Sequence, residues 1–104
     1  MEFVELPVFI KLIDELLSEE QRREMQNSML ENPEIGSTIV GGGGIRKMRW
    51  KLGQRGKSGG IRIIYFLGKT KTIVYFLLAY KKSEKSDLTQ KQIKELAKFA
   101  KELS

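Results

Sequence analysis

The sequence predicts an α+β fold: one small domain over residues 1–104, with helices laid against a mainly antiparallel four-stranded sheet in the order β-α-α-β-β-β-α. Three observations predict it. A chain of 104 residues suits one hydrophobic core and no second domain. Apolar residues recur at helical spacing in the first third of the chain and again near its end. Between those stretches lie three strand-like runs separated by glycine-bearing segments, the pattern of an antiparallel meander.

Taken in order, Phe3 to Leu6 is a short strand candidate, and Pro7 suits the first turn of a helix, where a missing N–H costs nothing. Phe9, Leu12, Ile13, Leu16 and Leu17 then form one apolar stripe. Ser18 with Gln21 three residues on is a capping box that opens a second helix carrying Met25, Met29 and Leu30, and Asn32-Pro33 ends it. Pro33 to Gly44 reads as loop, with at most a short extended piece at Thr38 to Val40 before four consecutive glycines. Ile45 to Leu52 alternates: Ile45, Lys47, Arg49 and Lys51 point one way, and Arg46, Met48, Trp50 and Leu52 the other. Gly53 to Gly60 is a glycine and cation loop. Ile61 to Leu67 and Thr72 to Tyr80 are strands apolar on both faces, as in positions covered from both sides, and Gly68 to Lys71 turns between them. After the polar loop Lys81 to Leu88, Thr89 with Gln92 repeats the capping box and opens a helix along Ile93, Leu96, Ala97, Ala100 and Leu103.

Composition excludes much chemistry. With no cysteine and no histidine there are no disulfides, no Cys/His zinc sites, no thiol nucleophile and no Ser-His-Asp triad, so catalysis must use lysine, arginine, tyrosine or carboxylates. The apolar runs are far too short to span a membrane, and the acidic start is unlike a signal peptide, so a cytoplasmic protein is expected. Charge is polarised along the chain. Residues 1–35 hold nine acids and three bases, while residues 36–104 hold sixteen bases and four acids. From Ile45 to Arg62 there are seven cations and no carboxylate, a patch that attracts a polyanion, in cytoplasm usually nucleic acid. The bland alternative is a solvated basic face, although a solubility surface normally intersperses both signs.

Gly56-Lys57-Ser58 is no phosphate-binding loop, because Lys51 stands where that pattern needs glycine and a strand follows in place of a helix. Gly41 to Gly44 either cradles a phosphate with its amides or serves as a hinge into the strand. Strand alternation puts the Cβ atoms of Lys47, Arg49 and Lys51 in a row about 7 Å apart, close to the phosphate repeat of a single nucleic-acid strand. Arg62, alone in an apolar strand and on the side of Ile64 and Phe66, needs a carboxylate, carbonyls or an anionic ligand. Tyr80 ends its strand beside Lys81 and Lys82, where its ring can stack on a base. Lys91, Lys94, Lys98 and Lys101 stripe the last helix, a solvated face or a rail for a nucleic-acid backbone.

Three runs together resemble a family. Gly-Gly-Ile-Arg-Lys-Met-Arg (43–49), Gly-Lys-Ser-Gly-Gly-Ile-Arg-Ile-Ile-Tyr (56–65) and Ala-Tyr-Lys-Lys-Ser-Glu-Lys-Ser-Asp-Leu (79–88) look like the RelE/HigB toxins of bacterial type II toxin–antitoxin systems, over nearly the whole chain. The resemblance implies a RelE-like fold and a ribosome-dependent mRNA endoribonuclease. It also implies two partners: the 70S ribosome with its mRNA, and a cognate antitoxin, a helix-turn-helix protein of HigA type. Neither metal nor cofactor is implied. Carried over, Lys47, Arg49, Lys57, Arg62, Tyr80 and Lys82 are the catalytic set, with Arg62 at the scissile phosphate, and Arg46, Lys51, Arg55 and Lys81 contact RNA or ribosome. Ser58 and Ser83 replace an arginine and an asparagine common in relatives, and residues 89–104 lack a tyrosine that some members carry. Metal-free cleavage of RNA by the ribose 2′-OH needs a base, charge stabilisation on the phosphorane and an acid. Lys47 or Lys57 is the expected base and Lys82 the expected acid. Two other readings stay open: a gyrase-poisoning toxin of ParE type, and a non-catalytic RNA- or ribosome-binding module.

Overall fold

The computed structural model describes residues 1–51, 60–85 and 87–103. Its elements are β1 (Glu2–Glu5), α1 (Pro7–Leu16), α2 (Glu19–Glu31), β2 (Ser37–Thr38), β3 (Ile45–Trp50), β4 (Ile61–Leu67), β5 (Ile73–Lys81) and α3 (Gln90–Leu103). They form one mixed five-stranded sheet in the order β1-β5-β4-β3-β2. The expected α+β meander of β3, β4 and β5 is present, antiparallel throughout. The strand count differs: Ser37 and Thr38 pair with Lys47 and Arg46 at the sheet edge, earlier than the extended piece expected at Thr38 to Val40. At the other edge β1 runs parallel to β5, with Phe3 opposite Val74. The expected loop Gly53 to Gly60 lies outside the described residues except for Gly60.

Local chemistry sets the helix ends. Pro7 starts α1, and the Ser18 box is complete: Ser18 Oγ accepts from the Gln21 amide at 3.1 Å, and Gln21 Oε1 accepts from the Ser18 amide at 2.9 Å. At α3 the Thr89 amide donates to Gln92 Oε1 at 2.9 Å and the Gln92 amide to Thr89 Oγ1 at 3.1 Å. Arg22 ties α2 to both Glu5 of β1 and Asp14 of α1.

The sheet is covered on both faces. On one, Phe9 and Ile13 of α1 and Met25 and Met29 of α2 pack with Met48, Ile61, Ile63, Tyr65, Val74, Phe76 and Ala79. On the other, Ile93 and Ala100 of α3 pack with Ile45, Ile64, Phe66 and Leu77. Charge follows the same division: α1 and α2 carry six acids against three bases and α3 a stripe of lysines, so the sheet separates an acidic face from a basic one.

One irregularity in β5 governs the site. Ile64 pairs with Leu78, but Tyr65 pairs with Phe76, which leaves Leu77 as an extra residue in the ladder. Val74 and Phe76 belong to the α1/α2 core; beyond the bulge it is Ala79 that does so, while Leu77, Leu78 and Tyr80 turn to the α3 side. A bulge reverses the phase of alternation beyond it. Without it, Tyr80 would point at α1 and α2.

Candidate functional site

Strand pairing assembles the site. Arg49 of β3 pairs with Arg62 of β4, and Arg62 with Tyr80 of β5, so three side chains stand in a row across the α3 side of the sheet. Lys47 heads the adjacent row, opposite Ile64, which in turn faces Leu78. The apolar residues of α3 meet the rows of Ile45 and Ile64, while the row with the two arginines lies toward the other end of the strands. Arg62 is 8% exposed, the one charged side chain buried among the described residues, whereas Arg49 is exposed. A cavity of about 360 Å³ opens there, lined by Ile35, Gly36 and Ser37 on one side and Lys47, Met48, Arg49 and Arg62 on the other. Arg62 does lie on the side of Ile64 and Phe66, as alternation predicts.

Tyr80 is the other buried polar group of the row. Its hydroxyl is buried without a hydrogen-bond partner among the described residues, and Lys85 Nζ sits 5.9 Å from the centre of its ring. Burial pushes the phenol above the ordinary tyrosine value, the charge of Asp87 adds to that rise, and Arg62 opposes it. The hydroxyl therefore stays protonated and can act as a donor. Asp87 was missed by sequence reasoning. Its carboxylate lies 3.5 Å from Lys47 Nζ and accepts the Leu88 amide at 2.9 Å, which puts a proton acceptor at the edge of an otherwise cationic cleft. The signal was its place in the resembling run 79–88, one residue before the apolar Leu88 that anchors the loop.

The remaining predicted residues divide. Lys51 follows β3 in phase with Lys47 and Arg49 and is exposed. Lys82 is exposed in the turn after β5, its amide donating to the Gly60 carbonyl at 3.3 Å. Lys81 pairs with Ile61 and so points away from Arg62, toward the α1/α2 side. Arg46 is not brought to the cleft. It lies across from Tyr65 on the opposite face, where its guanidinium donates to the carbonyls of Gly36 at 2.7 Å and Glu34 at 3.3 Å and lies 3.8 Å from the Glu34 carboxylate. Lys57 and Arg55 lie outside the described residues.

Arg46 and Tyr65 hold the wall of the cleft. The Tyr65 hydroxyl donates to the Pro33 carbonyl and accepts the Gly36 amide, both at 2.9 Å. Burial raises the Tyr65 phenol above the ordinary value, so these bonds keep their proton. Glu34 pairs with Lys71 at 3.1 Å, and that contact holds its carboxyl below the usual carboxylate value. Gly36 has no alternative here: a Cβ would stand 2.8 Å from the Lys47 carbonyl and 2.9 Å from the Tyr65 hydroxyl.

The chemistry of the cluster is that of an anion site with a proton donor and a proton acceptor beside it. Among the described residues no three metal-ligating side chains converge, and no helix is long and apolar enough to cross a membrane. A family model for the RelE toxin of the RelE / RelB toxin–antitoxin system matches residues 15–104. The fold is similar to that of a mutant E. coli RelE toxin in the free state, with a TM-score of 0.58 and 18% identity over 82% of this chain and 86% of that one. It is similar also to a chain of the intact E. coli RelBE toxin–antitoxin complex, with a TM-score of 0.58 and 21% identity over 77% of this chain and 94% of that one.

Proposed function

The chain belongs to the RelE toxin family, and from that premise we propose that it is a metal-independent endoribonuclease of HigB-like type, which acts in the cytoplasm on ribosome-bound mRNA and is neutralised by a cognate antitoxin. The observation that carries this reading is the row Arg49, Arg62, Tyr80, with Lys47 and Asp87 beside it. Arg62 takes the scissile phosphate and stabilises the charge that grows on its oxygens, which a guanidinium does with two parallel N–H donors. Arg49, Lys47 and Lys51 hold the flanking phosphates along β3. The ribose 2′-OH attacks phosphorus, its proton passing to Asp87, and the bond from phosphorus to the 5′ oxygen breaks, leaving a 2′,3′-cyclic phosphate. Tyr80, which burial keeps protonated, gives its proton to that departing oxygen. This assignment puts Tyr80 and Asp87 where the sequence reading had Lys82 and a lysine base.

The Asp87 carboxylate is 64% exposed, so alignment of the 2′-OH must supply much of the rate. That is what a ribosome holding mRNA in its decoding site provides, and free RNA is expected to be a poor substrate. One complex among the similar structures is a toxin bound to its antitoxin. That likeness supports a cognate antitoxin for this chain; its HigA-like helix-turn-helix type is carried over from the resemblance of the sequence runs alone.

Purified protein added to programmed ribosomes tests the reading: cut mRNA with 2′,3′-cyclic phosphate ends is expected. Ribosome binding without cut ends leaves a non-catalytic module, and trapped gyrase–DNA complexes in place of cut mRNA leave a ParE-type toxin.

A further inference from the structure

Two features of the sequence have no part in that reaction, the four glycines and the lysine stripe, and the fold brings them together. Gly41 to Gly44 make the turn between β2 and β3, with φ of 77°, 65° and 103° at Gly41, Gly43 and Gly44. The turn lies directly on α3: a Cβ at Gly43 would stand 3.5 Å from the Ala97 Cβ. Between turn and helix runs a groove of about 430 Å³, floored by Ala97 and lined by Gly41, Gly43, Lys94, Lys98 and Lys101. It opens on the basic side of the sheet, the side of Arg62.

We propose that this groove is a second phosphate-binding site, which holds the backbone of the same RNA chain upstream or downstream of the cleaved bond. The inference rests on the ribonuclease reading above and deepens it. Three observations carry it. First, Lys94, Lys98 and Lys101 make no ion pair among the described residues, although like charges at this spacing repel along a helix. Among the described residues their charge is unspent. Second, the turn's own backbone bonds use the amides of Gly42 and Ile45, and the Gly43 amide has no backbone acceptor among the described residues. Amides of this kind at a left-handed glycine face an anion with no side chain in the way. Third, the spacing suits a polymer. Lys94 to Lys98 rises about 6 Å along α3 and Lys98 to Lys101 about 4.5 Å, and Gly44 lies five residues, about 17 Å, along β3 from Arg49. An extended strand covers that gap in about three nucleotides. The groove is therefore placed to continue the β3 phosphate row rather than to bind an isolated ion.

Lys94→Gln, Lys98→Gln and Lys101→Gln are combined in one variant, and Ala97→Glu, which puts a carboxylate on the groove floor, is the second. Both are compared with wild type for melting temperature, for binding of an uncleavable 2′-O-methyl RNA of about 12 nucleotides and one of about 4, and for mRNA cleavage on programmed ribosomes. Wild-type cleavage tests the ribonuclease reading by itself; the RNA affinities test the groove. The expected result is at least a tenfold loss of affinity for the longer RNA in both variants, none for the shorter, and a salt dependence shallower by about 2 in the triple-lysine variant. Cleavage at saturating ribosomes should be unchanged while KM rises. Unchanged affinity for the longer RNA overturns the proposal whatever the cleavage result, and so does an equal loss for the longer and the shorter RNA, which would make the groove no extension of the phosphate row.

Discussion

At the scale of single residues, Tyr80 carries the sharpest conflict between stability and function. A buried hydroxyl without a partner costs about 1 kcal/mol or more, so Tyr80→Phe should leave the melting temperature unchanged or raise it. The same change removes the proton donor and should lower cleavage on the ribosome by about 10²-fold or more. A variant that is less stable yet cuts normally would remove Tyr80 from the mechanism. The direction of its titration gives a further check. Folding raises the affinity of Tyr80 and Tyr65 for their protons, so at low pH, with both states protonated, their contribution is fully present. As pH climbs past the ordinary tyrosine value near 10.0, the unfolded chain ionises first, and stability should fall from there up to the raised folded values. Denaturant midpoints across that range should decline, and the decline should be smaller in Tyr80→Phe. For Arg62, Arg62→Lys keeps the charge and loses the paired donors; a fall in kcat of about 10²-fold, with ribosome affinity held, is the expected kinetic pattern.

At the scale of elements, the loop 33–37 is a wall built by one phenol. Tyr65→Phe breaks two hydrogen bonds at once and leaves the Gly36 amide and Pro33 carbonyl unpaired, at a cost of about 1–3 kcal/mol. Because Ile35, Gly36 and Ser37 line the cleft, KM for ribosome-bound mRNA should rise in this variant while the order of cleavage products stays the same. An unaltered urea midpoint and an unaltered KM would show that the wall is held otherwise. These elements also mark how far the sequence could be read. Both capping boxes, the Pro7 start and the two-sided β4 and β5 are local or periodic signals, and each is where it was expected. The alternation of β3 was legible too. It turns Arg46 away from Lys47 and Arg49, and Arg46 does lie on the opposite face, on the Gly36 carbonyl and beside Glu34. What was illegible depends on pairing between distant segments. β2 is two residues whose only reason to extend is the neighbouring β3, and the bulge at Leu77 exists in the register of β5 against β4, not in either run alone. Asp87 was hidden for the same reason, since its contact with Lys47 spans forty residues and follows from where α3 seats the loop.

At the scale of the whole molecule, the sheet divides the charge. The chain is +6, but the acids of α1 and α2 lie on one face and the lysines of α3 with the Arg49–Arg62 row on the other. RNA senses a local field, because charges separated by more than about 8 Å through solvent are screened at physiological salt, and a packed sheet with a helix layer is thicker than that. Glu20 and Glu24 are exposed on α2 and give a clean test of face against sum. Glu20→Gln with Glu24→Gln makes the protein more positive, yet its affinity for a single-stranded RNA and the slope of that affinity against salt should match wild type. The Lys94→Gln, Lys98→Gln, Lys101→Gln variant, which makes the protein less positive, should lose both. Should the two glutamate changes instead raise RNA affinity as much as the three lysine changes lower it, net charge would be what the RNA reads, and the division of charge across the sheet would have no part in recognition.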